Sequence, residues 1–227
     1  LSGEWNPTAE NYEALFSSEA EEEDPARPYP FYLAYPIEEA RESLGPLSDW
    51  QAEWKWDGIR AQLIHREGLV LLWSRGGELV TETFPEISEA AEALPNGTVM
   101  DGEILVMREG MPAPFGDLQQ RLGRKRVGEK IRREFPAAFM AYDLLETYGE
   151  EVRRAPLTQR RRWLEELVHY FATKIPITLS PLVEADSWEE LEKLRKESRS
   201  RGVEGIMLKH RRSVYGVGRV KGDWWKW

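Results

Sequence analysis

The residues of this sequence best suited to chemistry lie in the segment 55–60, which reads Lys-Trp-Asp-Gly-Ile-Arg. A lysine followed by a glycine-containing turn can point into a pocket while backbone N–H groups face a phosphate. Arg60 adds a planar donor fork for phosphate or ribose oxygens. A nucleophilic Lys55 must be neutral, so burial, neighbouring cations or a metal must lower its pKa. The alternative is a surface lysine beside a turn.

A second pair of chemical groups stands in Asp101-Gly102-Glu103, inside a predicted strand. Glycine is unfavourable in mid-strand unless another group must approach closely. Strand alternation sends Asp101 and Glu103 to the same face. Two carboxylates placed in this way suit Mg²⁺ or a ribose hydroxyl. The alternative is a hairpin edge with solvated acids.

A third group, Glu204 to Lys209, reads Glu-Gly-Ile-Met-Leu-Lys, and a fourth is Lys226 between tryptophans near the last residue. The carboxylate of Glu204 suits a metal, and the amine of Lys209 suits a phosphate. Lys226 fits either a desolvated phosphate ligand or a packing residue whose amine reaches solvent. An ordinary buried strand with polar ends is the alternative for Glu204 to Lys209.

Predicted strands and helices that must position these groups are mixed along the chain. Hydrophobic patterning predicts strands at 61–65, 69–74, 98–107, 135–145 and 205–209, the first two forming a hairpin around Glu67-Gly68. Helices are predicted at 84–94, 115–122, 158–170 and 187–200, the last opened by a capping box of Ser187 and Glu190. Strands interrupted by helices and joined by hairpins indicate an α+β fold of mainly antiparallel sheets.

Composition narrows the class of protein. The 227 residues contain no cysteine and three scattered histidines, which excludes thiolate metal sites and argues against a histidine zinc site. The net charge of −9 argues against a chain that coats nucleic acid by bulk charge. A local basic run, with seven basic residues against one acidic between Arg121 and Arg133, suits either DNA phosphates or a solvated helix surface. No apolar stretch approaches the ~20 residues of a membrane span.

Taken in order, the motifs form a series. Lys-x-Asp-Gly-x-Arg is followed by Ser-Arg-Gly, Asp-Gly-Glu, an aromatic strand ending in Tyr-Asp-Leu, Glu-Gly-x-Met-x-Lys and Trp-x-Lys. This series resembles that of the covalent nucleotidyltransferase superfamily, and among its members the ATP-dependent DNA ligases of bacterial type. The resemblance covers residues 28–227 and implies two mainly antiparallel sheets flanked by helices, with a nucleotide pocket between them. This is the fold shared by DNA ligases and mRNA capping enzymes, which is ATP-grasp-like.

The resemblance also implies a role for individual residues. Lys55 is the expected nucleophile, which takes AMP from ATP with release of pyrophosphate. The expected nucleotide ligands include Glu53 for the adenine amino group, Tyr142 for stacking and Glu103 for ribose. Phosphate and ribose oxygens are expected to bind Arg60, Arg75, Lys209 and Lys226, and Met207 is expected to contact the nucleotide. Arg60, Lys209 and Lys226 are expected to act in catalysis. Glu204, with Glu103, is the expected ligand of Mg²⁺, for which Mn²⁺ can substitute.

The expected partners are ATP and nicked double-stranded DNA, to whose 5′-phosphate AMP passes before the 3′-OH displaces it. Residues 1–27 are expected to be a linker from a preceding DNA-binding domain, residues 28–227 the adenylation domain, and a C-terminal OB-fold domain to be missing. The chain is expected to be a cytoplasmic monomer without membrane association. It should self-adenylate slowly and seal nicks poorly.

Three other functions remain as alternatives. A GTP-dependent mRNA capping enzyme or an RNA ligase shares the Lys-x-Asp-Gly motif, and nucleotide preference would separate them from a DNA ligase. A non-catalytic nucleic-acid-binding module would bind DNA without taking up AMP. An NAD⁺-dependent ligase is disfavoured because its nicotinamide-binding segment is not apparent in the sequence.

Overall fold

Strands dominate the residues described by the computed structural model, which are 25–38, 41–124, 126–171 and 176–227. The expected linker 1–27 therefore lies almost wholly outside the described residues. The strands are β1 (Tyr32–Leu33), β2 (Tyr35–Pro36), β3 (Trp50–Trp56), β4 (Ile59–Arg66), β5 (Leu69–Ser74), β6 (Thr98–Arg108), β7 (Met111–Pro112), β8 (Ala137–Thr147), β9 (Glu150–Glu151), β10 (Ile177–Leu179), β11 (Val203–His210), β12 (Gly218–Arg219) and β13 (Trp224–Lys226).

All four predicted helices are present, three of them shorter than predicted, and a fifth short α-helix covers Glu129–Glu134. The α-helices are α1 (Pro85–Ala91), α2 (Phe115–Gln119), α3 (Glu129–Glu134), α4 (Leu157–Phe171) and α5 (Trp188–Lys196). Short 3₁₀ helices cover Arg41–Leu44, Leu47–Asp49, Thr81–Thr83 and Ser198–Arg201. The described part of the chain includes no helix with the length and apolar character needed to cross a membrane.

Two main sheets carry the fold. The larger has the order β10-β8-β6-β4-β5, with β7 paired to β6 and β9 paired to β8, and the smaller has the order β2-β13-β11-β3. Pairing is antiparallel except at β10 with β8 and at β2 with β13, and β1 pairs separately with β12 in parallel. The prediction of two mainly antiparallel sheets in an α+β fold is therefore confirmed.

Local chemistry explains where several elements turn or begin. The β4–β5 hairpin turns at Glu67 and Gly68, whose φ angles of 50° and 74° are both left-handed, as a tight two-residue hairpin requires. Ser187 caps α5 by accepting a hydrogen bond from the backbone N–H of Glu190, while the Glu190 carboxylate accepts one from the N–H of Asp186. The predicted hairpin and cap are therefore both confirmed.

The boundaries of some elements differ from the prediction. The strand predicted over 135–145 begins at Ala137, because Phe135 ends α3 and Pro136 follows it. The helix predicted over 187–200 stops at Lys196, and the chain continues as a 3₁₀ turn to Gly202, which has a φ angle of 67°. A residue in the left-handed region commonly ends a helix, and glycine adopts it without steric cost.

Three apolar clusters fix the two sheets. The largest packs the larger sheet against α1 and α4 through Leu63, Phe84 and Leu164. A second lies on the opposite face of that sheet and includes Tyr32, Tyr215 and Trp224. The third packs the outer face of the smaller sheet against α5, and its buried members are Trp50, Ala52, Val183, Leu191, Ile206 and Leu208. The parts of the two inner faces that the second cluster does not cover line a pocket.

Candidate nucleotide pocket

A cavity of about 610 Å³ lies between the two sheets, within the size range of small-molecule sites. All ten residues to which the resemblance assigns a site role line it. They are Glu53, Lys55, Arg60, Arg75, Glu103, Tyr142, Glu204, Met207, Lys209 and Lys226. Residues more than 170 positions apart in the sequence therefore meet in one place.

The smaller sheet supplies one wall through a row of side chains on three strands. Met207 in β11 pairs with Glu53 in β3 on one side and with Lys226 in β13 on the other. Paired residues of neighbouring strands point to the same face, and so do residues two apart on one strand. Lys55 and Lys209 therefore join this row on the pocket side.

Two pocket residues stand at irregularities in the strands. The pairing of β11 with β3 shifts between Val203 and Gly205, which leaves Glu204 as the extra residue. The pairing of β6 with β8 shifts between Asp101 and Gly102 in the same way and leaves Tyr142 without a direct partner. A bulge changes the direction of a side chain. Regular alternation would turn Glu204 away from the face of Met207, and the bulge brings it to the pocket.

Arg60 lines the opposite wall from β4 and is bound by Asp101 behind it. Its Nε donates to Oδ1 of Asp101 at 3.1 Å, and its Nη2 donates to Oδ2 at 2.6 Å. Asp101 is fully buried. The sequence suggested that Asp101 and Glu103 would share a metal or ribose, or be solvated, and for Asp101 both interpretations are wrong, because its two oxygens already bind Arg60.

Lys55 is half-buried and its ammonium group contacts the carboxylate of Glu204. Burial lowers the pKa of Lys55, Lys226 and Arg75 lower it further by charge repulsion, and Glu103 and Asp57 oppose the shift. Desolvation and like charges are the two ways of favouring the neutral amine. Burial and these cations therefore favour the neutral, nucleophilic form of Lys55 more than a surface site does, while the contact with Glu204 favours the charged form.

Glu103 lies directly opposite Arg60 in the pairing of β4 with β6. Burial raises the pKa of Glu103 to about 8, assisted by Asp101 and opposed by Arg60, Lys55 and Arg75. A carboxyl group that holds its proton near neutral pH can donate a hydrogen bond as well as accept one. It therefore suits a hydroxyl-bearing ligand.

Glu53 and Lys209 are both buried and lie together at the pocket wall. The Nζ of Lys209 is 3.0 Å from Oε1 of Glu53, which also accepts a 2.7 Å hydrogen bond from Gln51 Nε2. The same Nζ lies 4.4 Å from the ring centre of Tyr142 and 4.7 Å from that of Trp224. Lys209 thus has an ion pair and two aromatic neighbours, without hydrogen-bond geometry to any described residue.

Close approach explains the glycines of two motifs. A Cβ at Gly58 would come within 2.4 Å of the carbonyl oxygen of Ile104, so the turn after Lys55 packs directly on β6. A Cβ at Gly102 would come within 2.6 Å of the Phe139 ring. The sequence-based expectation that some group must approach Gly102 is confirmed.

Among the residues that the structure describes, the acidic ones that line the cavity do not gather into a metal-binding cluster. The described residues contain no cluster of three or more histidine, aspartate or glutamate side chains that could hold an ion. Glu204 is the most accessible of the candidate ligands, with a side chain 44% exposed. Mg²⁺ often uses one or two carboxylates together with substrate phosphates and water, and Glu204 fits such a shared site.

The basic run from Arg121 to Arg133 is not one exposed surface. Arg121 is fully buried, forms an ion pair with Glu86 and donates to the carbonyl oxygens of Thr83 and Phe135. The interpretation of the run as a DNA track therefore fails for Arg121, which fastens α1 to the start of β8. Arg124, Arg126 and Arg133 are exposed.

Tyr215 and Arg219 contribute to the site but belong to none of the sequence motifs. Arg219 lines the cavity mouth from β12. Tyr215 is buried, and its hydroxyl donates a 2.7 Å hydrogen bond to Asp101. Both lie in a segment without hydrophobic periodicity, so the only available signal was the aromatic residue itself in an otherwise small and polar loop.

The fold and pocket are those of a nucleotidyltransferase domain. A family model described as "ATP dependent DNA ligase domain" matches residues 32–227. The chain belongs to this family.

Individual relatives support the same family assignment. The chain is 36% identical over 219 residues to a probable DNA ligase of Koribacter versatilis and 32% identical over 201 residues to a DNA ligase of Archaeoglobus fulgidus. Each match covers 88% of this chain, but only 38% and 35% of those relatives. The chain thus spans less than two fifths of the length of either.

Solved structures show the same fold. A mycobacterial DNA ligase D complexed with ATP and MES is 30% identical, with a TM-score of 0.64 over 87% of this chain and 59% of that one. Chlorella virus DNA ligase-adenylate, at 19% identity, has a TM-score of 0.65 over 88% of this chain and 69% of its own. At that identity the second match supports the fold alone.

Proposed function

We propose that this chain is the adenylation domain of an ATP-dependent DNA ligase, with Lys55 as the nucleophile. The observation that carries the proposal is the position of Lys55, half-buried in a nucleotide-sized cavity where burial and nearby cations lower its pKa. The relative solved with ATP is consistent with the same nucleotide here.

The proposed reaction is transfer of AMP to Lys55. Neutral Nζ attacks the α-phosphorus of ATP, and a P–N bond forms. The bond from the α-phosphorus to the bridging oxygen breaks, pyrophosphate leaves with that electron pair, and Nζ loses a proton. The product is a phosphoramide between Lys55 and AMP.

The other pocket residues are assigned by their positions and chemistry. Tyr142 provides an aromatic face for the base, with Met207 on the facing wall. Glu53 offers a carboxylate acceptor that favours an amino group, hence adenine over guanine. Glu103, whose raised pKa allows it to donate or accept, suits a ribose hydroxyl.

Positive groups surround the place where the phosphates must lie. Arg60, Arg75, Lys209 and Lys226 line the cavity, and preorganised cations stabilise charge that builds on a transferring phosphoryl group. Lys209 reaches a phosphate by leaving its ion pair with Glu53, which then becomes available to the base.

A divalent cation fits beside Glu204, since phosphate oxygens and water can complete the ligands that the described residues lack. Mg²⁺ bound there supplies charge neutralisation of the phosphates. The Glu204 carboxylate would then exchange its contact with Lys55 for one with the cation. Glu103 is a second candidate ligand, and Mn²⁺ is expected to substitute.

The later steps of nick sealing are proposed for the longer protein. AMP would pass from Lys55 to the 5′-phosphate of a nick in double-stranded DNA, and the 3′-OH would displace it. We also propose that residues 28–227 form the adenylation domain and that an OB-fold and a DNA-binding domain accompany it in the parent. We further propose that the chain is a monomer. Its proposed location is the cytoplasm, in association with the nucleoid if the source is a bacterium.

The test is a labelling experiment. The chain is incubated with Mg²⁺ and either α-labelled ATP or α-labelled GTP, with Lys55→Ala in parallel, and resolved on a denaturing gel. Label from ATP that is absent in Lys55→Ala and removed by pyrophosphate is the expected result. The intact mass of the protein as purified reveals AMP that is already attached.

Other outcomes would redirect the proposal. Label from GTP rather than ATP would indicate a capping-type enzyme. If neither nucleotide labels the chain and no AMP is attached, the assay is repeated with the parent's OB-fold restored. Continued absence of label would then identify a binding module without catalysis.

A further inference from the structure

Arg60 is held by more than its ion pair. The guanidinium donates through Nε and Nη2 to Asp101, and Nη2 also donates a longer hydrogen bond to the Tyr215 hydroxyl, while the side chain also lines the cavity. Burial lowers the pKa of Arg60, but Asp101, Tyr142 and Tyr215 raise it by more, so it stays charged. Its position therefore depends on what fixes Asp101.

The hydroxyl of Tyr215 also hydrogen-bonds to Asp101, at the same oxygen, Oδ2, that accepts from Nη2 of Arg60. It donates to Oδ2 at 2.7 Å, accepts from the backbone N–H of Tyr32 at 3.3 Å, and lies 3.4 Å from Nη2 of Arg60. One hydroxyl thus joins the carboxylate, the guanidinium and the segment that precedes the domain's first long strand.

Aromatic rings enclose this group. Trp224 packs 4.7 Å from the ring of Tyr32 and 5.7 Å from that of Tyr215. The guanidinium carbon of Arg60 is 5.9 Å from the Trp224 ring, and Tyr32 donates a 2.6 Å hydrogen bond to Asp223. Because Trp224 starts β13, which carries Lys226, the group connects Arg60 to the strand of another pocket cation.

We propose that Tyr215 is a positioning residue for Arg60, acting through Asp101. The inference rests on the proposed function, because it concerns the residue that faces the transferring phosphate. Its hydroxyl fixes the Asp101 carboxylate in the plane that orients the guanidinium fork. Fork geometry matters because an arginine donates along fixed directions.

Removing that hydroxyl should impair the reaction more than ATP binding. In Tyr215→Phe the ion pair of Arg60 and Asp101 persists, but the carboxylate loses one of its restraints. Misplacement of a positioned group lowers the rate of the chemical step. We expect the single-turnover rate of Lys55 adenylation to fall about tenfold, with half-saturating ATP changed less than about twofold.

A double-mutant cycle separates positioning from general damage. If Tyr215 acts through Arg60, Tyr215→Phe should cause no further loss of rate in an Arg60→Ala background. An equal loss in both backgrounds would overturn the inference. So would an unchanged rate in Tyr215→Phe alone.

The chain offers a matched control. Tyr29 also donates its hydroxyl to a carboxylate, Glu146, which in turn binds Arg66 through Nε and Nη2, away from the cavity. Tyr29→Phe deletes the same chemical group from a similar triad. It should leave the rate of adenylation within about twofold of the wild type, and an equal loss in both variants would attribute the effect to stability.

A second measurement is independent of activity. Nε–H of Arg60, bound to Asp101, should exchange slowly with water in NMR spectra, and Tyr215→Phe should accelerate that exchange while the Arg66 signal stays unchanged. If AMP is taken up neither by the wild-type chain nor after the OB-fold is restored, the proposed function fails and this exchange measurement alone decides the positioning claim. Unchanged Arg60 exchange would overturn it.

Discussion

Lys209 and Glu53 form a buried ion pair across neighbouring strands, with Nζ 3.0 Å from Oε1 and both side chains about 2% exposed. Glu53 is assigned to the adenine base and Lys209 to a phosphate, which lie at opposite ends of ATP. The pair therefore couples the base end of the pocket to its phosphate end, since engaging either end frees the other group.

This pair predicts a stability effect. Lys209→Met leaves the Glu53 carboxylate buried with Gln51 as its remaining polar partner, which should reduce the free energy of unfolding by about 3–5 kcal/mol. Adding Glu53→Gln should restore most of the loss, because a neutral amide needs no counter-charge. Urea unfolding of both single variants and the double variant measures the cycle, and simple additivity would contradict the coupling.

Around this pair, the sequence predicted the residues of the pocket but not all of their contacts. Motif order placed Glu53, Lys55, Met207, Lys209 and Lys226 in one pocket, and strand pairing places them on one face. Their assigned ligand roles remain predictions. What spacing did not reveal is that the two ligand groups bind each other.

Two features of the site depend on irregular structure that no local pattern encodes. The bulge at Glu204 reverses its direction in β11, and a bulge arises from pairing with a distant strand. Asp101 was expected to serve a metal or ribose, yet it binds Arg60 and Tyr215. Tyr215 lies 114 positions from Asp101, so only tertiary structure brings them together.

The lowered pKa of Lys55 predicts a pH profile for adenylation. The neutral fraction of Lys55 grows with pH, so the rate should rise and level off below the pH expected for an ordinary lysine. Lys226→Gln removes a nearby cation, so the pKa of Lys55 and the midpoint of the profile should move to higher pH.

Single-turnover rates across the pH range measure that midpoint separately from the plateau, which reports any loss of phosphate binding. Lys130→Gln, on the exposed surface of α3, serves as the control and should leave the midpoint in place. A midpoint that moves to lower pH in Lys226→Gln would refute the electrostatic account of Lys55.

Glu103 predicts a pH dependence of stability. Its pKa is raised to about 8 in the folded protein from an ordinary value of 4.5, so the folded state binds the proton more tightly than the unfolded state. Stability therefore falls as pH rises from 4.5 to 8 and changes no further above that window. Glu103→Gln should remove this dependence and exceed the wild type at pH 9 by up to about 5 kcal/mol.

Urea unfolding at pH 5, 7 and 9 provides the test for Glu103. The difference between Glu103→Gln and wild type should grow with pH. A constant difference across the three values would mean that the carboxyl group ionises normally in the folded protein.

Gly102 predicts a packing effect. In Gly102→Ala the new Cβ would meet the Phe139 ring at 2.6 Å and the carbonyl oxygen of Met140 at 2.7 Å. The strands must shift, and we expect a loss of about 1–3 kcal/mol in the free energy of unfolding. Gly116→Ala in α2 meets nothing within 4 Å and should be neutral or stabilising by up to ~1 kcal/mol. Thermal or urea unfolding compares them, and equal effects would contradict the packing argument.

Arg121 predicts a structural role within the basic run. Arg121→Ala leaves Glu86 and two carbonyl oxygens without their buried partner, so stability should fall by about 3–5 kcal/mol. Arg124→Ala, at an exposed position, should change stability by less than about 0.5 kcal/mol. Urea unfolding of both variants distinguishes them. Similar small losses in both variants would mean that Arg121 has no buried structural role.

The central position of strand β11 limits where residues can be inserted or deleted in such a chain. It is the shared neighbour of β3 and β13, and the row Glu53, Met207 and Lys226 runs across all three. An inserted or deleted residue within β11 would slide Met207 and Lys209 relative to both neighbours at once. Divergent chains that keep this pocket can therefore gain or lose residues between strands, while the spacing inside β11 must stay fixed. Short, rigid motifs separated by variable intervals follow directly from that geometry.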